Sequence, residues 1–375
     1  MANVDKSGYL KYKDKSGNMV TMYPNTRVAN VEGLEDWDRA MLLKTVRVDM
    51  PANAIWISVC YGDGKFVAIT RNNSIAAYSI DGFTWTQTTL PANAKWSFVY
   101  YGNGKFVAVA NGSSIAAYST DGITWTQTTL PASANWQSVR YGNGKFVTVA
   151  LGSSIAAYST DGITWTQATL PASANWSSIC YGNDKFVTVA NGGSIAAYST
   201  DGITWTQATL PASAELIFVC YGNGKFVAAA NLSKSIVYST DGITWTQATT
   251  GVKGYWTSGY YGGGKFMLFG TAKIAYSTDG INWTKCVLDE TYIEYTSGCY
   301  GNGKFVAMAN GAVGGHSTDG ITWNHLSTLV NIPTGADVTD TLKTVLGADT
   351  ILSDAKSYAD TAIQSAIQNT WEASY

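Results

Sequence analysis

The chain repeats itself, and that constrains its fold more than any other feature. Asp-Gly stands at Asp81, Asp121, Asp161, Asp201, Asp241, Asp279 and Asp319, at successive spacings of 40, 40, 40, 40, 38 and 40 residues. The surrounding stretch is Tyr-Ser-Thr-Asp-Gly-Ile-Thr-Trp at residues 118–125. A second motif, most often Tyr-Gly-Asn-Gly-Lys-Phe, precedes each copy. It begins at Tyr61, Tyr101, Tyr141, Tyr181, Tyr221, Tyr261 and Tyr300. Seven units of this length predict one small supersecondary element copied seven times in a radial or stacked array.

The second unit shows what the element is. Trp96–Gly102 alternates as a half-buried strand does, and Asn103-Gly104 follows as a turn. Lys105–Ala110, Ser114–Ser119 and Thr124–Leu130 read as three more strands, separated by Asn111-Gly112 and Asp121-Gly122. Asn-Gly and Asp-Gly favour hairpins because both residues tolerate positive φ. Four antiparallel strands in 40 residues make a propeller blade. The fold expected over residues 45–330 is therefore mainly β, a seven-bladed β-propeller of four-stranded antiparallel blades. A parallel solenoid would need shorter repeats and no hairpins. Two segments compete to supply the last fourth strand: Thr45–Met50, which runs on into Pro51-Ala-Asn-Ala, and Trp323–Leu329. The continuing similarity favours the N-terminal one.

The flanks differ in character. Residues 1–44 predict a β-hairpin within 8–24, turning at Ser16-Gly17-Asn18, and a short helix near 33–42. Residues 331–375 predict an α-helix, because Thr341, Val345, Ala348, Leu352, Ala355, Ala359, Ala362 and Ala366 follow a 4-3 spacing. Neither segment can bury a core alone, so both are read as attachment or oligomerisation segments, the rival for the C-terminal helix being docking on its own propeller. Ala355-Lys-Ser-Tyr-Ala-Asp-Thr-Ala-Ile resembles coiled-coil segments of phage fibre and baseplate proteins, and that resemblance implies a trimer.

Composition removes several classes of function. Charged residues are 13% and the net charge is −2, which argues against nucleic acid as a partner. No apolar run reaches the length of a membrane span, and the N-terminus lacks the apolar centre of a secretory signal. The five cysteines are Cys60, Cys180, Cys220, Cys286 and Cys299, and all but Cys286 share one repeat column. They read as small buried hydrophobes. With His316 and His325 the only histidines, no metal site is expected. No cofactor motif appears either, since Gly-Lys-Phe is not a phosphate-binding loop. Lys65, Lys105, Lys145, Lys185, Lys225, Lys265 and Lys304 are expected to form Lys–Asp contacts on the face of the Asp-Gly turns.

Two resemblances add to this reading. Ser-Thr-Asp-Gly-Ile-Thr-Trp resembles the Asp-box of sialidases and related propellers, but is one residue shorter between Asp and Trp. The resemblance implies a turn between third and fourth strands. In it Asp81, Asp121, Asp161, Asp201, Asp241, Asp279 and Asp319 bind turn amides and do no catalysis. Tyr9-Leu-Lys-Tyr with Lys-Ser-Gly-Asn, Met-Tyr-Pro and Val-Glu-Gly-Leu resembles the N-terminal attachment segments of bacteriophage tail fibre and receptor-binding proteins. That implies a virion protein, made in the host cytoplasm, joined to tail or baseplate proteins by its terminal segments. Its propeller would bind a host-cell surface glycan without cleaving it. A structural spacer, a glycan hydrolase and a bacterial adhesin are the rivals. The hydrolase would need paired carboxylates across a substrate, and for the arginine triad of sialidases the propeller offers only Arg71 and Arg140, with Arg47 at its entry.

Specificity is expected where the seven copies disagree. One column reads Ile57, Ser97, Gln137, Ser177, Ile217, Thr257, Thr296. Another reads Cys60, Tyr100, Arg140, Cys180, Cys220, Tyr260, Cys299. The turns between second and third strands also vary, and one carries Arg71. The candidate ligand-binding residues are Arg71, Arg140, Tyr100, Tyr260 and Gln137. Trp56, Trp96, Trp136, Trp176 and Trp256 join them as a sugar-stacking ring if exposed. If buried, they pack blade against blade.

Overall fold

The computed structural model describes residues 50–325, except 213–214, 232–234, 249–251, 253, 289–292 and 312, and the strands Asn3–Val4, Leu10–Lys13 and Met19–Met22. The chain divides into two compact units, Val48–Ser327 and a smaller one of Met1–Arg47 with Thr328–Tyr375. In the smaller unit Leu10–Lys13 and Met19–Met22 pair antiparallel, from Leu10 opposite Met22 to Lys13 opposite Met19. This is the expected hairpin, and Asn3–Val4 adds a third strand. The helices expected near 33–42 and within 331–375 lie outside the described residues. Among the described residues there is no helix, and so none long and apolar enough to cross a membrane.

The larger unit is built of antiparallel meanders, one per repeat. In the first repeat the strands are Ala54–Gly62, Lys65–Thr70, Asn73–Ser79 and Thr86–Ala94, hydrogen-bonded in that order. Asn103 and Gly104 take φ of 47° and 71°, the paired positive values of a tight hairpin turn. After a half-buried lysine the second strands are buried and largely apolar, as in Phe106–Ala110, with Thr70, Thr148 and Thr188 the buried exceptions. Both faces of each sheet are therefore covered, and alternation is lost. From the second to the fourth repeat the fourth strand runs unbroken into the next first strand, as Thr126–Gly142 and Thr166–Gly182.

The core lies in the seams between successive repeats. One apolar cluster joins the first and second repeats through Val67, Ile69, Trp96, Val99, Phe106 and Trp125. Each seam also carries a ring-on-glycine joint. A Cβ on Gly142 would lie 2.1 Å from the ring of Tyr181, and one on Gly102 would lie 2.3 Å from Tyr141. Only glycine lets the next repeat's tyrosine approach so closely.

The same joints connect the seventh repeat to the first. A Cβ on Gly301 would lie 2.0 Å from the ring of Tyr61. The Val59 N–H donates to Ser297 Oγ at 3.2 Å, and the Thr296 hydroxyl donates to the Trp56 carbonyl. The last fourth strand is Thr322–His325, paired with Gly314–Ser317. This corrects the expectation that the N-terminal segment supplies it. The similarity that misled has another cause: Met50 is buried in the seam with Val306 and Met308. It fills the place that Leu90 fills in the next seam, so the resemblance belongs to packing at the linker.

Candidate functional site

Every repeat directs its first strand to a common cavity of about 340 Å³. The lining includes Ile57, Ser97, Gln137, Ser177, Ile217, Thr257 and Thr296, the whole of one variable column. It also includes the whole of the other, Cys60, Tyr100, Arg140, Cys180, Cys220, Tyr260 and Cys299. Side-chain hydroxyls tie neighbouring first strands together. Ser97 Oγ donates to the Val109 carbonyl at 3.0 Å and the Trp136 carbonyl at 2.8 Å. Ser177 Oγ donates to the Leu216 carbonyl at 2.7 Å. Much of the hydroxyl lining is thus already engaged by backbone.

Among the described residues Arg140 is the one charged member of the lining. Its guanidinium lies 4.8 Å from the Phe98 ring centroid and 4.6 Å from that of Tyr100, both in the preceding repeat. Such cation–π contacts stabilise by about 0.5–2 kcal/mol. Its hydrogen bond to the protein is a long one, from NH1 to the Val139 carbonyl at 3.4 Å. No described Asp or Glu lines the cavity, and among the described residues no carboxylate pairs with Arg140. Burial pushes the thiols of Cys60, Cys180 and Cys220 up, and the Arg140 charge pulls each part of the way back. These cysteines come from the first, fourth and fifth repeats, so the field of Arg140 spans the cavity. Burial also raises Cys299 and Tyr260.

Of the expected site residues, Arg140, Tyr100 and Gln137 meet in this cavity. Gln137 Oε1 accepts from Asn111 Nδ2 at 3.3 Å. Arg71 is exposed on its turn and outside the lining. Tyr260 touches the cavity but is a core residue, stacked on Phe269 at 5.5 Å with its hydroxyl buried and unpartnered. Gly298 of the next repeat makes room for the pair, since a Cβ there would lie 2.6 Å from the Phe269 ring and 3.0 Å from that of Tyr260. Trp56, Trp96, Trp136, Trp176 and Trp256 are at most 1% exposed. The first four donate their indole N–H to Ala52, Ala92, Ala132 and Ala172 carbonyls at 3.1–3.2 Å. They pack within seams and offer no face to a sugar, which settles the alternative against stacking.

Phe98 escaped the sequence reading. Its column otherwise reads Ser58, Ser138, Ser178, Phe218, Ser258 and Ser297. An aromatic in a serine column, next to the repeat with the odd arginine, was the available signal. The Lys–Asp ring also needs correction. Lys304 donates to the Asp81 carbonyl at 3.0 Å and lies 4.4 Å from the Phe83 ring centroid. Among the described residues the ion pair formed is Lys65–Asp63, within one turn. No described group of three or more His, Cys, Asp or Glu could hold a metal ion.

The meanders and the cavity at their inner strands define a β-propeller. Residues 126–255 match a protein-family model, the DUF6242 beta propeller domain. Virginiamycin B lyase from Staphylococcus aureus superposes with a TM-score of 0.64 at 15% identity, covering 71% of this chain and 95% of that one. YCF48 bound to D1 peptide gives 0.57 at 16% identity, covering 72% and 95%. YCF48 from Cyanidioschyzon merolae gives 0.56 at 12% identity, covering 72% and 97%. At such identities the likeness shows the fold alone. No curated protein matches the sequence.

Proposed function

We propose that residues 48–327 form a seven-bladed propeller that holds a host-surface glycan without cleaving it, in a phage tail fibre or related receptor-binding particle. The cavity carries this reading: a lone arginine on an aromatic shelf, with no carboxylate among the described residues of the lining. Hydrolysis of a glycosidic bond asks for two carboxylates facing each other, whereas binding asks for a shaped pocket and a few polar groups. The count of seven blades is supported by the ring-on-glycine joints, which run from Gly62 with Tyr101 to Gly301 with Tyr61. The tail-fibre setting rests on the resemblance of the first residues, and the flanking segments would then bind tail proteins and further copies of the chain. Weak single sites become strong through copy number.

The test uses the full chain, incubated with purified bacterial surface polysaccharides and with cells bearing them. The expected result is retention of a polysaccharide with no new reducing ends, weakened about tenfold or more by Arg140→Ala. New reducing ends would make the protein a glycan-cleaving enzyme. Retention of no polysaccharide and no cell would leave the structural-spacer reading in its place.

A further inference from the structure

We infer that the cavity takes a small carboxylate-bearing ligand, one sugar acid in bulk, whose carboxylate pairs with Arg140. This deepens the glycan-binding reading and rests on it. Arg140 has the strongest unspent recognition capacity in the lining. A guanidinium has five N–H donors, and among the described residues the protein's claim on this one is the long bond to Val139. Phe98 and Tyr100 hold the guanidinium over their rings, and a ring contact of this kind uses its charge without taking up its N–H donors. Donors in a fixed fork suit the two oxygens of a carboxylate.

The rest of the cavity supports an anion. Lining thiols and the Tyr260 phenol are kept neutral by burial, so among the described residues of the lining nothing offsets the arginine. Neutral recognition is thin, because Ser97, Ser177, Thr257 and Thr296 already donate to backbone carbonyls. Charge should therefore dominate selectivity. A volume of about 340 Å³ has room for a monosaccharide-sized group. The ligand would enter as a chain end or a side branch.

The experiment is calorimetric titration of the full chain with sodium glucuronate, glucose and inorganic phosphate at low ionic strength. Glucuronate is expected to bind at least about tenfold more tightly than glucose. Arg140→Met should remove that preference, and Arg140→Lys should retain part of it, because an ammonium pairs with a carboxylate as a point charge. Arg71→Ala should leave it unchanged. If Arg140→Met fails to fold, the Lys variant and the wild-type salt dependence still decide. Equal affinity for glucuronate and glucose, or phosphate bound more tightly than glucuronate, overturns the inference. Polysaccharide retention with no glucuronate binding overturns it while leaving the binding reading intact. Glucuronate bound through Arg140 with no polysaccharide or cell retained does the reverse.

Discussion

The Asp121 carboxylate accepts from the Ile123 N–H at 2.8 Å, the Thr124 N–H at 2.7 Å and the Ser119 hydroxyl at 2.9 Å. Ser119 Oγ in turn accepts from the Gly122 N–H at 2.8 Å. This closed set of bonds satisfies the amides of a turn that no neighbouring strand could satisfy. It explains why the residue is Asp in all seven copies and why none of the copies belongs to the cavity. Burial alone would raise the carboxyl, but the bonds from Thr124, Ile123 and Ser119 outweigh it and hold Asp121 at about 2, below the ordinary 3.8. Asp161, Asp201 and Asp241 also lie at about 2. Because the folded values are depressed, the stabilisation is present above the unfolded value. It is lost as pH falls from about 4 to about 2. The melting temperature should therefore drop across that window, as read by circular dichroism. Asp121→Ala should cost about 1–3 kcal/mol at neutral pH and reduce the acid-dependent part of the drop. An unchanged pH profile would mean that the turn bonds do not control the acid limb.

Gly142 and Gly144 look alike in the sequence and differ in the fold. Gly144 has φ of 72°, and a Cβ added there would meet nothing within 4 Å, so it serves the turn. A Cβ on Gly142 would strike Tyr181, so Gly142 serves the seam. Gly142→Ala should destabilise by about 1–3 kcal/mol through overpacking, and denaturant unfolding measures it. Gly142→Ala combined with Tyr181→Ala should cost less than the two changes added together, because the clash disappears with the ring. The strands and turns were legible because Asn-Gly and Asp-Gly punctuation and apolar runs are local signals. The joint was not legible, since Tyr181 lies in the next repeat and a contact across one period leaves no local pattern. The burial of Trp56 and its four counterparts is hidden for the same reason: a tryptophan at a strand start reads alike whether a neighbouring sheet covers it or not.

Arg140 was legible as a candidate because it broke its column, and its convergence with Gln137 and Tyr100 follows from seven first strands facing one cavity. Arg71 broke a pattern too, yet it belongs to a turn, and sequence comparison cannot separate a channel position from a rim position. Closure was the other feature hidden from the sequence, and it sets how the larger unit should unfold. The joint between the third and fourth repeats is backed by the continuous strand Thr166–Gly182. The joint between the seventh and first is held by Gly301 against Tyr61, the bond from Val59 to Ser297, the Met50 seam, and pairing of Asn310 with Ile55. No continuous strand runs through it. Tyr61→Ala and Tyr181→Ala remove the same half-buried ring from equivalent sites, so each should cost about 3 kcal/mol globally. Their local effects should differ. Hydrogen exchange should speed up in the first and seventh repeats of Tyr61→Ala, because that seam can open without the others. In Tyr181→Ala the third and fourth repeats should stay protected to nearly the global limit. Equal exchange patterns in the two variants would mean that the closing seam is as strongly held as one the chain runs through.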